Sequence, residues 1–317
     1  MTGSIRRRTV LGAAALVPAA MLARPVAAGA DEPPIDLTRW MAQLADDAPL
    51  SAITIPGTHD SGARFGGVAP VVDFVTALWV QCQNWTVTQQ LNAGVRFLDV
   101  RCHAEPDGAL RIHHLFVDEK LSLTDVMRDC VAFLGANPTE ALLMRVQQEA
   151  STTPEPQFVA AFDRHVREAD AGDRLYRDPT IPQLGPVRGR IVLMPNKLPS
   201  LGGIGWSSPL VSIEDDWDMG YLTPADAVER KWQSVVTSLD AAATTTDKIT
   251  ISFVSANGAV VPPRLLTDIL NPRLQREAAR RQGAAEAGRS LGVVLVDFVD
   301  GATSAVQQLV SCNRFAR

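Results

Sequence analysis

Two histidine-bearing segments and one Asp-x-Arg pair are the residues of this 317-residue chain best suited to acid–base chemistry. His59 sits in Ile55-Pro56-Gly57-Thr58-His59-Asp60-Ser61-Gly62, where proline and glycine fix a tight turn at the end of an apolar run. The second segment is Arg111-Ile112-His113-His114. Neighbours on a strand point to opposite faces, so at most one of its two histidines can face a given centre. Asp99 and Arg101 are two apart and share a face, with Leu98 and Val100 on the other. Charges placed so are costly unless they pair or bind a ligand. A structural ion pair and an arginine fork for phosphate both fit. Two histidines and an arginine at one mouth can cleave a phosphodiester. A neutral histidine takes a proton from an attacking hydroxyl, and a protonated one gives a proton to the leaving oxygen. Histidine titrates near neutrality and suits both roles. A carboxylate beside each ring would set its tautomer and favour its charged form. The arginine would stabilise charge on the phosphate oxygens. Of the remaining histidines, His165 lies in a helical pattern between Arg164 and Arg167 and is expected at the surface, and His103 has no assigned role.

The elements that must position these groups are short apolar runs separated by helical or loop-like stretches. Strands are expected at Ala52–Pro56, Val95–Arg101, Leu110–His113, Ala141–Gln147, Arg190–Met194, Pro209–Ile213, Ile249–Val254 and Gly292–Phe298. Several are almost continuously apolar or β-branched, as strands buried on both faces should be. Helices are expected at Leu121–Ala136, Gln157–Ala169 and Leu265–Ala287, the last interrupted by Pro272, and Ala241–Asp247 reads as a small-residue connection. Alternating strands and helices predict a parallel sheet, and about eight strands predict a single irregular (β/α)8 TIM-like barrel of the α/β class. Polar residues recur where the apolar runs end: His59 and Asp60, Asp99 and Arg101, His114, Gln147 and Glu149, Asn196 and Lys197, Asp215, Asn257 and Asp297. The C-terminal strand ends of such a barrel converge on one mouth, where active sites are built.

Residues 1–30 read as an export signal. Arg6, Arg7 and Arg8 precede the apolar run Val10 to Ala23, and Ala28-Gly29-Ala30 is a plausible cleavage site. Arg7-Arg8-Thr9-Val10-Leu11 has a twin-arginine look. A membrane anchor is the alternative, but the run is short for a span of about 20 residues. Residues 31–317 would then be the barrel, with 26 basic and 35 acidic residues and a formal net charge of −9. That balance argues against nucleic acid as a partner and against simple electrostatic adhesion to anionic membranes. Cys82, Cys102, Cys130 and Cys312 match no zinc motif; disulfides and buried free thiols are both open.

These segments resemble the bacterial phosphatidylinositol-specific phospholipase C family, the X-domain phosphodiesterase barrel. The resemblance rests on Ile53–Gly62, Gln89–Cys102, Leu110–His114, Glu140–Glu149, Gly189–Met194 and Leu295–Val299, in family order. It implies an exported phospholipase C that releases diacylglycerol and inositol 1,2-cyclic phosphate. By that resemblance His59 is the general base with Asp297 as its partner, and His114 is the general acid supported by Asp60. Arg101 binds phosphate, with Asp99 beside it. Where calcium-dependent relatives carry a carboxylate ligand this chain has Arg101, so neither metal nor cofactor is expected. A monomer making transient contact with a phospholipid surface is implied. Gln147 stands where the family has a lysine, with Arg145 on the same face, and Asn196, with Lys197 beside it, stands at a family arginine. Asp215 matches an inositol-binding aspartate, and Trp217 a stacking aromatic. These departures admit a related phosphodiesterase acting on another head group. A non-catalytic lipid- or glycan-binding barrel would instead have lost catalytic groups. Phe65, Phe74, Leu78 and Trp79 are candidates to touch lipid or to pack on the barrel.

Overall fold

β-Branched and aliphatic runs buried on both faces can be satisfied only by a sheet with helices outside and side chains inside. That is the arrangement in the computed structural model, which describes residues 35–64, 78–283 and 289–315. Ile35–Arg317 form one compact unit. The expected export segment 1–30, together with Phe65 and Phe74, lies outside the described residues.

Ten strands form one sheet: β1 Ile55–Thr58, β2 Phe97–Ala104, β3 Leu110–His114, β4 Val117–Ser122, β5 Leu142–Gln148, β6 Leu175–Tyr176, β7 Ile191–Asn196, β8 Val211–Glu214, β9 Ile249–Phe253 and β10 Val293–Val296. The curled path runs β6-β7-β5-β2-β1-β10-β9-β8, and every pairing along it is parallel. Among the described residues six α-helices are complete: α1 Val87–Asn92, α2 Leu123–Ala136, α3 Glu155–Glu168, α4 Pro224–Thr244, α5 Pro263–Gln282 and α6 Thr303–Ser311. Capping boxes at Thr86 and Ser122 fix where α1 and α2 begin. Helix α5 continues through Pro272, and α4 runs on to Thr244 through most of the stretch expected to be a connection.

One strand expectation, Leu110–His113, needs correction, and one strand has no counterpart among the expected ones. Leu110–His114 is not a barrel stave; it pairs antiparallel with both β2 and β4, as a hairpin extension of β2. Only Glu105–Ala109 separate it from β2, far too few for the dozen or more residues a parallel crossover needs. Gly108, at φ +82°, makes the turn. The vacated place on the barrel path is taken by the two-residue strand β6, which is too short to leave a periodic signal.

Parallel register sorts the interior into layers. Phe97, Leu143 and Val192 are in register, and Gly57 is in register with Phe97 and Leu295. These side chains form an apolar floor with Phe253, Ile251 and Trp206. Two residues further on, Asp99, Arg145 and Met194 are aligned, and two beyond that Arg101, Gln147 and Asn196. The opposite faces of the same strands, including Leu98, Val100, Met144, Val146, Val294 and Val296, pack outward on the helices. A Cβ at Gly57 would stand 2.9 Å from the Phe97 Cβ, so the floor closes only because this residue has no side chain.

Candidate active site

The polar layers sit directly above that floor. His59 and Asp297 are the residues just beyond the registered pair Thr58 and Val296, which brings them side by side at adjacent strand ends. His59 Nδ1 donates to Asp297 Oδ1 at 2.9 Å, leaving Nε2 as the ring's free base. Burial works to lower the His59 pKa, but the Asp297 carboxylate outweighs it, and the net shift is upward. Gln83 fixes the backbone here: its amide donates to the carbonyls of His59 and Val296 and accepts from Val299 N–H.

His114 faces His59 across the cavity, with ring centroids 6.2 Å apart. Its Nδ1 lies 2.5 Å from the Val80 carbonyl oxygen, so Nδ1 carries the hydrogen and Nε2 is presented to the cavity. Asp60 Oδ2 is 3.8 Å from that Nε2. The orienting partner of His114 is thus a backbone carbonyl, while Asp60 stands beside the nitrogen that exchanges a proton. Burial pushes the Asp60 carboxyl above its usual range, against the pull of Arg101 and His114. His113 turns to the other face of β3 and stacks on His103 at 4.5 Å. One histidine of the pair faces the cavity, as the alternation of a strand requires.

Arg101 makes a forked contact with Asp99: Nε and a terminal nitrogen lie 3.2 and 3.0 Å from Oδ2. Its Nε is also 3.6 Å from Asp60 Oδ2. Arg145 donates to the other Asp99 oxygen at 3.1 Å and sits over Trp206, 4.4 Å from the ring centroid. Burial alone would raise the Asp99 pKa, but the two guanidiniums more than offset it and hold the carboxyl well below its usual range. Asp99 also accepts from Asp60 N–H, tying the His59 loop to β2.

Gln147 is hydrogen-bonded to three neighbours. Its carbonyl oxygen accepts from Arg145 and, at 2.7 Å, from Asn196, and its amide donates to Glu149 at 2.9 Å. A cavity of about 420 Å³ is lined by His59, Arg101, His114, Arg145, Gln147, Glu149, Asp215, Trp217 and Asp297, with Cys82, Ser255 and Asn257. Asn196 reaches this wall only through Gln147. Lys197 is exposed beyond the strand end and does not line the cavity.

At five strand ends the residue after the polar group has positive φ although it is not glycine: Asp60, Leu115, Ala150, Lys197 and Phe298 follow His59, His114, Glu149, Asn196 and Asp297. Left-handed turns at these points aim the preceding side chains while the chain bends away.

Sequence reasoning placed Glu149 at the mouth without a role, and missed the Val80 carbonyl, Gln83 and Cys82 as parts of this site. The carbonyl is backbone and leaves no residue signal. His165 is corrected from surface to buried: its Nε2 accepts from Leu110 N–H at 2.9 Å and its Nδ1 meets Thr124 Oγ1 at 2.6 Å, which anchors the hairpin. All four cysteines are buried free thiols.

The PI-PLC X family model (PI-PLC X 1) matches residues 47–169. The 1-phosphatidylinositol phosphodiesterase of Listeria monocytogenes is 27% identical over 293 residues, spanning 87% of this chain and 85% of that protein. The enzyme of the same name from Staphylococcus aureus is 29% identical over 160 residues, about half of each chain. The solved phosphatidylinositol-specific phospholipase C from L. monocytogenes superposes with a TM-score of 0.77 at 25% identity, covering 89% of this chain and all of that one. A solved S. aureus structure shares the fold, with a TM-score of 0.72 at 22% identity. Residues 47–169 thus match the PI-PLC X family, and nearly the whole chain is similar in sequence and fold to the phosphatidylinositol-specific phospholipase C of L. monocytogenes.

Proposed function

We propose that this protein is a phospholipase C that cleaves phosphatidylinositol to diacylglycerol and inositol 1,2-cyclic phosphate. The observation that carries the reading is the pair of imidazoles 6.2 Å apart, each with its tautomer fixed, over a forked arginine. His59 Nε2 takes the proton of the inositol 2-hydroxyl, whose oxygen attacks phosphorus. The bond from phosphorus to the diacylglycerol oxygen breaks, and His114 Nε2–H protonates that oxygen. Asp297 stabilises the imidazolium formed at His59, and Asp60 does so at His114 until the proton leaves. Arg101, held in orientation by Asp99, faces the phosphate oxygens and supplies the positive charge there. This chemistry calls for neither metal nor cofactor, and turnover in excess chelator tests that.

Asp215 and Trp217, with Arg145 and Gln147, form the wall assigned to the inositol ring; Asn196 supports it and Lys197 stands outside it. Gln147 spends its hydrogen bonds on Arg145, Asn196 and Glu149, which favours a second reading in which the head group is another phosphodiester. Relative turnover of phosphatidylinositol, phosphatidylcholine and glycerophosphoinositol separates the two. Equal rates would remove inositol specificity.

Leu115, Phe116, Trp217 and Tyr221 are exposed, and Leu115 and Trp217 line the cavity mouth, so the substrate is taken from a lipid surface by a transient apolar contact. Among the described residues no helix is long and apolar enough to cross a membrane. Residues 1–30 are assigned as a removable export signal and 31–317 as the catalytic barrel acting as a monomer outside the cell. Mass spectrometry of the mature N-terminus tests the cleavage after Ala30.

A further inference from the structure

Cys82 lines the cavity yet has no part in the proton transfers above. It is buried, and its Sγ lies 3.7 Å from His114 Nδ1. A His59 ring nitrogen, an Asp60 carboxylate oxygen and the Cys82 sulfur all lie within 4.8 Å of one another. His59 Nδ1 is occupied by Asp297, so Nε2 is the nitrogen left to donate. Asp60 is fully buried, and neither of its oxygens accepts a hydrogen bond. Its ion pairs with Arg101 at 3.6 Å and His114 at 3.8 Å leave both oxygens without a hydrogen bond beside a thiol and an imidazole, a donor set that a cation would complete.

We propose that His59, Asp60 and Cys82 bind a thiophilic divalent cation, Zn2+ or Cd2+, and that this cation inhibits the enzyme. The donor set is one sulfur, one nitrogen and one oxygen, which suits Zn2+ and Cd2+ and not the all-oxygen preference of Ca2+ or Mg2+. Four buried carboxylates, Asp60, Asp99, Glu149 and Asp297, stand around the cavity with two guanidiniums, Arg101 and Arg145, leaving a net negative charge. When the thiol gives its proton to solvent and a Zn–S bond forms, the added thiolate and the dication together bring one positive charge and so offset part of that negative charge. Zn–N of ~2.0 Å and Zn–S of ~2.3 Å at tetrahedral angles put nitrogen and sulfur about 3.5 Å apart, so donors now within 4.8 Å of one another close in by up to about 1.3 Å. The ion would take the lone pair of His59 Nε2 and sit in the space of the phosphate. Inhibition therefore rests on the reading of His59 as the base, whereas binding does not.

The test uses the purified protein and ZnCl2, with turnover of phosphatidylinositol and calorimetric binding measured in parallel. CdCl2 adds the ultraviolet charge-transfer band of a cadmium–thiolate bond, which needs no variant. The expected result is one Zn2+ per chain, turnover lost as the site fills, recovery with chelator, and no such effect of Mg2+ or Ca2+. Each variant is normalised to its own rate in chelator. Loss of outer-shell partners already weakens metal sites about 10–100-fold, so loss of this direct ligand in Cys82→Ser should shift binding by on the order of 100-fold. The cadmium band should vanish with it. Cys312→Ser, far from the cavity, should leave both unchanged. No binding, or binding and a cadmium band unaltered in Cys82→Ser, would overturn the site. Zn2+ that binds and raises turnover would overturn its inhibitory role. A Cys82-dependent site in a protein inert toward phosphatidylinositol would sustain the metal site and sink the phospholipase reading.

Discussion

Replacing Asp297 with asparagine separates the charge of this residue from its shape. Asn Oδ1 can still accept from His59 Nδ1, so the ring should keep its tautomer and place. The full negative charge next to a forming imidazolium is lost. The contact is 2.9 Å, with the Asp297 side chain 1% and the His59 side chain 16% exposed. At an effective dielectric of about 20, a full ion pair at that separation is worth roughly 6 kcal/mol. A proton about half transferred in the transition state would draw on about half of that, roughly 3 kcal/mol, or on the order of a 100-fold fall in kcat. The apparent KM should barely change, because the lost term exists only as the proton moves. The pH profile gives a second readout. His59 must be neutral to act, and Asp297 is what raises its pKa above the ordinary 6.5 against burial. With that charge gone, burial prevails and the acidic limb of kcat/KM moves to lower pH. The assay is initial rate on mixed micelles across pH, with circular dichroism to verify folding. A kcat within about threefold of the parent, or an acidic limb that stays put or rises, would refute the dyad.

Arg101→Lys keeps a charge but loses the fork toward Asp99; turnover should fall about 100-fold or more, as for loss of one preorganised donor, measured as kcat at saturating lipid. Asp99→Asn leaves two buried guanidiniums short of their counter-charge and should cost about 3–5 kcal/mol in urea unfolding. Because the Asp99 pKa is depressed in the folded state, its stabilising contribution is full above the ordinary 3.8 and is lost as pH falls through the lowered value. The parent should therefore lose stability below about pH 4 more steeply than the Asn variant. Gly57→Ala forces a methyl against the Phe97 Cβ at 2.9 Å and should destabilise by about 1–3 kcal/mol, with reduced turnover because His59 is two residues away. Unchanged unfolding would mean that the barrel floor is looser than described.

The parallel barrel was legible because its strands are apolar on both faces and its polar residues come at their ends. The sharing of a face by Asp99 and Arg101, and by Arg145 and Gln147, follows from a period of two, and the register of β2 with β5 makes those pairs neighbours. The hairpin was readable but was misjudged. Asp107-Gly108 and a gap of only eight residues between the expected strands, too short for a parallel crossover, signal an antiparallel return, yet Leu110–His113 was taken as a barrel stave on hydrophobicity alone. The burial of His165 was hidden because its partners, Leu110 N–H and Thr124, come from elements distant in sequence. The orientation of His114 by the Val80 carbonyl depends on tertiary placement of backbone, which no side-chain pattern reports. The internal bonding of Gln147, which changes what the head-group wall can offer a substrate, likewise emerges only once β5 and β7 are side by side.

Phosphorus NMR of the products formed from phosphatidylinositol in the presence of chelator tests the central claim most directly. Attack by the 2-hydroxyl with His59 as base and His114 as acid predicts that the cyclic phosphodiester resonance appears first, with diacylglycerol in equal amount and no added metal. An acyclic phosphomonoester from the earliest turnover, or a cyclic product formed only after calcium is supplied, would contradict it.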